Sequence, residues 1–134
     1  MHKEDRIVLA KYRLDKAKDC LKASKILLDD SMFSDSANRS YYAIFHSVNA
    51  LLALEGASFK KHSGVISYFN QKYIKTGIVE KDYGKIVGNA FEIRKDYDYA
   101  DFYVVSKEEV IEQYENAVRF VSRMEQHIQN EIKE

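Results

Sequence analysis

Proline and tryptophan are absent from this chain of 134 residues, and glycine occurs only five times. Hairpins, sandwiches and barrels rely on proline and glycine for their turns. Their scarcity therefore favours an all-α protein. At this length the chain is expected to form one domain with a single core, over residues 1–134.

An excess charge of either sign is also missing, because Lys and Arg total 21 and Asp and Glu also total 21. The chain as a whole therefore has no positive field that would collect nucleic acid nonspecifically. Any contact with nucleic acid must come from a local basic patch.

Cysteine and long apolar runs are equally scarce. Cys20 is the only cysteine, so the chain can form neither an internal disulfide nor a paired-cysteine metal site. The central apolar run Ala50–Leu54 is far shorter than the roughly 20 residues of a membrane span, and the first residues are charged. We therefore expect a cytoplasmic protein with no signal peptide and no membrane helix.

Several catalytic classes have no motif in this sequence. A di-iron bundle needs Glu-x-x-His twice, and no glutamate stands three residues before His46, His62 or His127. A phosphate-cradling glycine loop, a paired-cysteine motif and a nucleophile-elbow serine are all missing. We therefore expect no metal and no cofactor, and kinases and the common hydrolases are disfavoured.

Apolar residues recur at helical spacing in five segments of the chain. The predicted helices cover about Asp5–Asp30, a segment from Ser34 or Asp35 to Gly56, about His62–Tyr73, about Glu80–Tyr97, and a last segment that begins after Ser106. Ser106 and Glu109 form a capping box, and residues 99–105 are expected to form an ordered loop. The short connections predict an all-α, up-and-down antiparallel bundle of four main helices plus one short helix.

A polar stripe runs along the second predicted helix. It contains Asn38, Tyr42, His46 and Asn49 at steps of four, four and three, with Arg39 one position aside. One interpretation is a cleft in which arginine binds phosphate and histidine transfers protons near neutral pH. The other is structural, with Tyr42 and His46 hydrogen-bonded to neighbouring helices at the edge of the core.

Arg94 occupies an unusual position near the end of the fourth predicted helix. It follows Ala90 by four residues and Val87 by seven, which places it on the core-facing side. One explanation is an ion pair with Asp98 one turn later. The other is a guanidinium held ready for a phosphate group, and the two explanations are compatible.

Two weaker features accompany these residues. Lys61 and His62 lie at the start of the short third helix, where the helix N-terminus adds attraction for an anion, although a solvated loop accounts for them as well. Gly84 and Gly88 lie one turn apart in the fourth helix, where each costs roughly 1 kcal/mol relative to alanine. Close approach of a neighbouring helix or of a partner protein would explain why glycine stands at these two positions.

Three segments together resemble the small single-domain prokaryotic HEPN proteins. They are Asn38–His46, Lys61–Ile66 and Arg94–Tyr99, and the resemblance extends from about Asp5 to Ile128. It implies a helical bundle that forms a homodimer, encoded beside a minimal nucleotidyltransferase in a toxin–antitoxin module. It also implies that Arg94, Arg39, Asn38, Tyr42 and His46 line one cleft.

The resemblance also shows where this chain departs from the ribonuclease members of the family. Their catalytic motif is an arginine followed after four to six residues by a histidine. Arg94 matches the arginine, but Tyr99, Ala100 and Asp101 stand at the histidine positions. In some modules the partner adenylylates a tyrosine two residues beyond that histidine, and the matching position here is Asp101.

Three functions are compatible with these residues. The first is nucleotide and nucleotidyltransferase binding through Asn38, Arg39, Tyr42, His46, Lys61, His62 and Arg94, with Tyr97, Asp98 and Tyr99 in support. The second is a metal-independent ribonuclease toxin, with Arg94 and His46 as catalytic candidates and His46 or His62 replacing the missing base. The third is a structural dimer without a ligand. The sequence favours the first because the motif histidine is missing.

Overall fold

The chain is an all-α helical bundle. The computed structural model describes residues 2–99 and 105–133, apart from the side chains of residues 97–99. This part of the chain forms five α-helices and no strand, with the bounds α1 Lys3–Asp29, α2 Phe33–Glu55, α3 His62–Phe69, α4 Lys81–Tyr99 and α5 Lys107–Lys133. The predicted fold class is confirmed.

Helices α1 and α2 form a tight antiparallel pair joined by three residues. Ser31 in this connection has a φ of 59°, a left-handed conformation that reverses the chain within a short distance. The predicted cap of α2 was wrong, because Met32 is the N-cap residue and Ser34 and Asp35 lie in the first turn. Gly56 ends α2 in the left-handed conformation, with a φ of 73°, as its sequence predicts.

A buried serine cluster holds α1 and α2 at close distance. The hydroxyl of Ser24 on α1 lies 2.7 Å from the Ser40 hydroxyl and 3.0 Å from the Ser36 hydroxyl on α2. Ser36 in turn donates to the carbonyl oxygen of Ser24 at 2.8 Å. Small side chains allow the two helices to approach, and the mutual hydrogen bonds satisfy the buried hydroxyl groups.

Helix α2 is the central element of the bundle, because α1, α3, α4 and α5 all pack against it. Its buried residues lie on more than one face, and the fully buried ones include Tyr41, Ile44, Val48, Leu51 and Leu52. Phe69 of α3 and Phe120 of α5 meet in the same core, with ring centroids 5.7 Å apart. A helix covered on several sides has little freedom to shift, so it holds its polar side chains in fixed positions.

The third predicted helix changes its geometry partway along. The α-helical part ends at Phe69, and residues Asn70–Ile74 form a π-helical turn within the predicted span. Tyr73 in this turn is buried, and its carbonyl oxygen accepts a hydrogen bond from the Val79 amide at 2.8 Å. Tyr73 follows Phe69 by four residues and packs beside it, with ring centroids 5.8 Å apart, so helical spacing accounts for its burial but does not reveal the wider turn.

The boundaries of the last two helices agree with their sequence signals. Ser106 caps α5, since its hydroxyl accepts a hydrogen bond from the Glu109 amide at 3.1 Å. Helix α4 reaches Tyr99, two residues beyond its predicted end. The predicted loop at residues 99–105 lies largely outside the described residues. None of the described helices is long and apolar enough to cross a lipid bilayer.

The two glycines of α4 differ in their surroundings. A Cβ atom built on Gly84 would lie 3.1 Å from Cγ2 of Ile74, whereas one built on Gly88 would meet no atom within 4 Å. Close packing against the π-helical turn therefore accounts for Gly84. Nothing in the described part of the chain accounts for Gly88.

Alanine substitution at these two positions should separate packing from helix propensity. We expect Gly88→Ala to raise the free energy of unfolding by about 0.5–1 kcal/mol, since alanine is the better helix former. Gly84→Ala gains the same propensity but must displace Ile74, so it should be less stable than Gly88→Ala by at least roughly 0.5 kcal/mol. Urea unfolding of both variants measures the difference, and equal stabilisation would contradict the packing explanation.

Candidate functional site

Seven side chains from three helices form a mixed basic and aromatic group on the bundle, which we call the Tyr42 cluster. Its members are Arg39, Tyr41, Tyr42, Phe45 and His46 of α2, His62 of α3 and Arg94 of α4. Tyr41 is buried and the other six are half-buried. The cluster therefore rests on the core and reaches the surface.

Two guanidinium groups converge on the Tyr42 ring from different helices. The Arg39 Cζ lies 5.2 Å from the ring centroid, and the Arg94 Cζ lies 6.0 Å from it. Arg94 also lies 5.4 Å from the centroid of the Tyr41 ring. The ring faces attract both cations. This attraction places two positive charges around one aromatic ring.

Arg39 is further oriented by its neighbours on α1 and α2. Its Nη2 donates a hydrogen bond to Oδ1 of Asn38 at 2.9 Å, and its Nη1 lies 4.0 Å from Sγ of Cys20. Burial raises the pKa of the Cys20 thiol despite the opposing charge of Arg39. Cys20 therefore stays a neutral thiol at neutral pH and does not neutralise the charge of Arg39.

His62 is held at the first turn of α3 by three aromatic side chains. Its Nδ1 forms a 2.7 Å hydrogen bond with the Tyr41 hydroxyl, and its ring stacks on Phe45 with a centroid distance of 3.9 Å. The Tyr42 ring meets the same imidazole edge-on at 5.9 Å. These contacts fix the orientation of the ring and connect it to the buried Tyr41.

His46 also lies beside Tyr42, with a centroid distance of 5.9 Å. Burial lowers the pKa of His46, and the positive charges of Lys16, Arg39 and Arg13 together with the nearby His62 lower it further. No hydrogen bond joins its ring to another described residue. The ring is therefore neutral at pH 7 and its unprotonated nitrogen can accept a proton.

The structural interpretation of the polar stripe assigns hydrogen bonds to Tyr42 and His46. Within residues 2–96 and 105–133, Tyr42 and His46 contact their neighbours through their rings, and the hydrogen bond belongs to Tyr41 and His62 instead. Asn49, the last residue of the stripe, contacts a neighbouring helix through its backbone. Its carbonyl oxygen accepts a hydrogen bond from Nη1 of Arg13 on α1 at 3.1 Å.

The remaining candidates stand apart from the cluster or outside the described side chains. Lys61 is the exposed N-cap residue of α3 and adjoins His62 only along the chain. The side chains of Tyr97, Asp98 and Tyr99 lie outside the described residues, and so does the predicted ion pair of Asp98 with Arg94. Within the described part, no three His, Cys, Asp or Glu side chains converge as metal ligands.

Sequence reasoning missed two members of the cluster. Tyr41 and Phe45 follow the apolar period of α2 and were interpreted only as core residues. Their role depends on the entry of His62 and Arg94 from other helices, which no pattern within α2 reveals. The only local indication of this role is the pair of adjacent tyrosines at positions 41 and 42. Tyr41 faces the core and Tyr42 faces the polar stripe, so the two rings connect them.

The cluster combines the groups that hold a phosphate and an aromatic base. Two guanidinium groups can donate paired hydrogen bonds to phosphate oxygens. The half-buried face of Tyr42 can stack on a base. The neutral His46 and the fixed His62 add proton-transfer groups.

Comparison with known proteins identifies the relatives of this chain. A UPF0332 protein of Thermotoga maritima is 37% identical over 130 residues, which is 97% of either chain. Two proteins of Methanocaldococcus jannaschii, each named as a "putative toxin", are also similar. One is 40% identical over 62% of either chain. The other is 32% identical over 72% of this chain and 65% of its own.

The HEPN domain profile matches residues 10–127, which include every member of the Tyr42 cluster. The matched span runs from α1 into α5, so it covers nearly all of the described bundle. The resemblance inferred from three short segments is therefore confirmed over most of the chain. The chain belongs to the HEPN domain family.

Proposed function

We propose that the Tyr42 cluster binds the phosphate and the base of a nucleotide or of RNA. The observation that carries this proposal is the convergence of Arg39 and Arg94 on the ring of Tyr42. A phosphate between the guanidinium groups would accept hydrogen bonds from two positively charged side chains that lie around one aromatic ring. A base stacked on Tyr42 would replace part of the cation–ring attraction with ring–ring contact.

The proposed biological role is that of a toxin-type HEPN protein in a two-protein module. The names of the two Methanocaldococcus jannaschii relatives support the toxin role. The family resemblance of Asn38–His46 and Arg94–Tyr99 supports a minimal nucleotidyltransferase as the second protein. A cytoplasmic site of action remains a prediction from the single Cys20.

A homodimer is part of the same proposal. The half-buried cluster lies at the surface of one bundle, and a second copy across it would enclose a bound nucleotide. Light scattering of the purified protein, alone and with a nucleotidyltransferase encoded next to its gene, tests both associations. A monomeric mass, together with no complex with the nucleotidyltransferase, would contradict this part of the proposal. The proposed nucleotide binding would not be affected.

Metal-independent RNA cleavage is the second candidate function, and the positions of the two histidines favour it. His46 and His62 each lie 5.9 Å from the Tyr42 ring, and the two arginines approach the same ring. Neutral His46 could accept the proton of a 2′-hydroxyl as its oxygen attacks phosphorus, while His62 in its protonated form gives a proton to the departing 5′-oxygen. The arginines would stabilise the charge on phosphorus. This arrangement would replace the histidine missing after Arg94.

Removal of either arginine should weaken nucleotide binding. We expect Arg39→Ala and Arg94→Ala each to raise the Kd for ATP roughly tenfold, because each loses a charge-assisted hydrogen-bond donor to phosphate. Titration calorimetry in EDTA measures the change. Arg119→Ala is the matched control, because Arg119 also lies over a tyrosine ring, that of Tyr83, at 5.8 Å. An equal loss in all three variants would contradict the proposed site.

Binding should also depend on pH through His46. The pKa of His46 is lowered in the free protein, and a bound phosphate would raise it by favouring the charged ring. Binding therefore takes up a proton, and affinity should increase as the pH falls from about 8 to about 5.5. A deoxydinucleotide is a suitable probe, because its phosphodiester does not titrate in this range.

Two histidine variants test the origin of this pH dependence. His46→Gln should flatten the affinity profile, whereas His127→Gln should leave it unchanged. His127 is remote from the cluster and lies 3.6 Å from the Glu131 carboxylate on α5. A profile that His46→Gln does not alter would place the linked proton elsewhere.

Cleavage assays distinguish the two candidate functions. With RNA and no added metal, we expect the protein to bind the strand and leave it intact, since the motif histidine is missing. Cleavage that is lost in both Arg94→Ala and His46→Ala, but kept in Arg119→Ala, would establish the ribonuclease. Neither binding nor cleavage by the folded protein would leave only the structural dimer.

A further inference from the structure

A second candidate site lies between α4 and α5 and shares no residue with the Tyr42 cluster. It is a cleft of about 320 Å³. Ile44 and Ile86 lie among its buried lining residues, and Ile93 is half-buried. The cleft therefore combines apolar surface with polar side chains from two helices.

Every charged residue in the described lining of the cleft is acidic. Glu92 and Asp96 belong to α4, while Glu109 and Glu112 belong to α5. The described lining contains no Lys, Arg or His, and Asn89 and Asn116 add two neutral amides. None of the four carboxylates forms an ion pair with a described residue. Four negative charges around one cleft favour a cationic occupant.

A buried amide gives independent support for an occupant that donates hydrogen bonds. Gln113 also lines the cleft and is only 5% exposed. Its Nε2 donates a hydrogen bond to the carbonyl oxygen of Ala37 at 3.3 Å, which fixes the orientation of the amide. Its Oε1 is buried and has no hydrogen-bond partner among the described residues. A buried acceptor without a donor is costly, so a ligand that supplies one would be stabilised.

We propose that this cleft binds an arginine side chain from a partner protein. A guanidinium carries five N–H donors in one plane. It can therefore donate hydrogen bonds to carboxylates on both helices and to Oε1 of Gln113 at the same time. The isoleucine side chains would cover the aliphatic part of the arginine. An ammonium group is a compact, strongly hydrated charge and matches this divided set of acceptors less well.

The charge of the cleft argues against a second copy of this chain as the occupant. A two-fold dimer brings the same surface of both subunits together. If the cleft lay on the two-fold axis, such a dimer would place four carboxylates opposite four others, and like charges across an interface are costly. The occupant is therefore a different protein with a basic segment.

Binding of matched peptides tests the proposal. The probe is a short fluorescein-labelled peptide with one central arginine in a neutral sequence, compared with peptides that carry citrulline or lysine there. Citrulline keeps the shape of arginine and removes its charge. We expect the arginine peptide to bind with a Kd roughly tenfold lower than the citrulline peptide. The lysine peptide should bind less tightly than the arginine peptide.

Substitutions in α5 locate the binding. Glu112→Gln should weaken the arginine peptide by roughly three- to tenfold. Glu115→Gln is the matched control, because it removes the same charge one turn along the same helix outside this cleft. Gln113→Leu should weaken binding as well, and its thermal unfolding shows whether the variant is folded.

The alternative outcomes would overturn the proposal. Equal binding of the citrulline peptide would show that charge plays no part, and equal binding of the lysine peptide would exclude a guanidinium-specific site. If Glu112→Gln and Glu115→Gln weakened binding equally, the peptide would be attracted by the net charge of the protein and not by this cleft. Absence of binding to any peptide would remove the site. None of these results bears on nucleotide binding at the Tyr42 cluster.

Discussion

The hydrogen bond between Tyr41 and His62 connects the core of the protein to its candidate site. Tyr41 is 1% exposed, so its ring cannot move without disturbing the contacts between α2 and the helices around it. Its hydroxyl holds His62 at 2.7 Å, and its ring lies under Arg94. One buried side chain thus sets the positions of two polar groups that come from α3 and α4. The geometry of the Tyr42 cluster depends on correct packing of the bundle.

This dependence explains which features the sequence could predict. Helical spacing located all five helices, because amphipathic periodicity is a local property. Gly56 and Ser106 marked helix ends for the same reason. The start of α2 was missed because Met32 caps it without a side-chain hydrogen bond. The π-helical turn after Phe69 was missed because one wider turn leaves the spacing of apolar residues unchanged enough to be read as an α-helix.

The candidate site was only half predictable for a related reason. Arg39, Tyr42 and His46 lie on one face of α2, so spacing alone grouped them. Arg94 and His62 were singled out separately, and their position beside Tyr42 depends on how α3 and α4 pack. Tyr41 and Phe45 were interpreted only as core, because an aromatic residue on the apolar period carries no sign of a second role. Family resemblance supplied the link among the segments that helical spacing could not supply.

A net charge of zero conceals two opposite electrostatic surfaces in this chain. Arg13, Lys16 and Arg39 of α1 and α2 lie close enough to lower the pKa of His46, whereas the cleft between α4 and α5 is lined by carboxylates. Helix α4 contributes to both surfaces, with Arg94 at the Tyr42 cluster and its neighbour Ile93 in the acidic cleft. Because ions screen exposed charges beyond about 8 Å at physiological salt, each surface acts on what touches it locally. Overall composition therefore excludes nonspecific attraction and leaves room for two distinct binding partners.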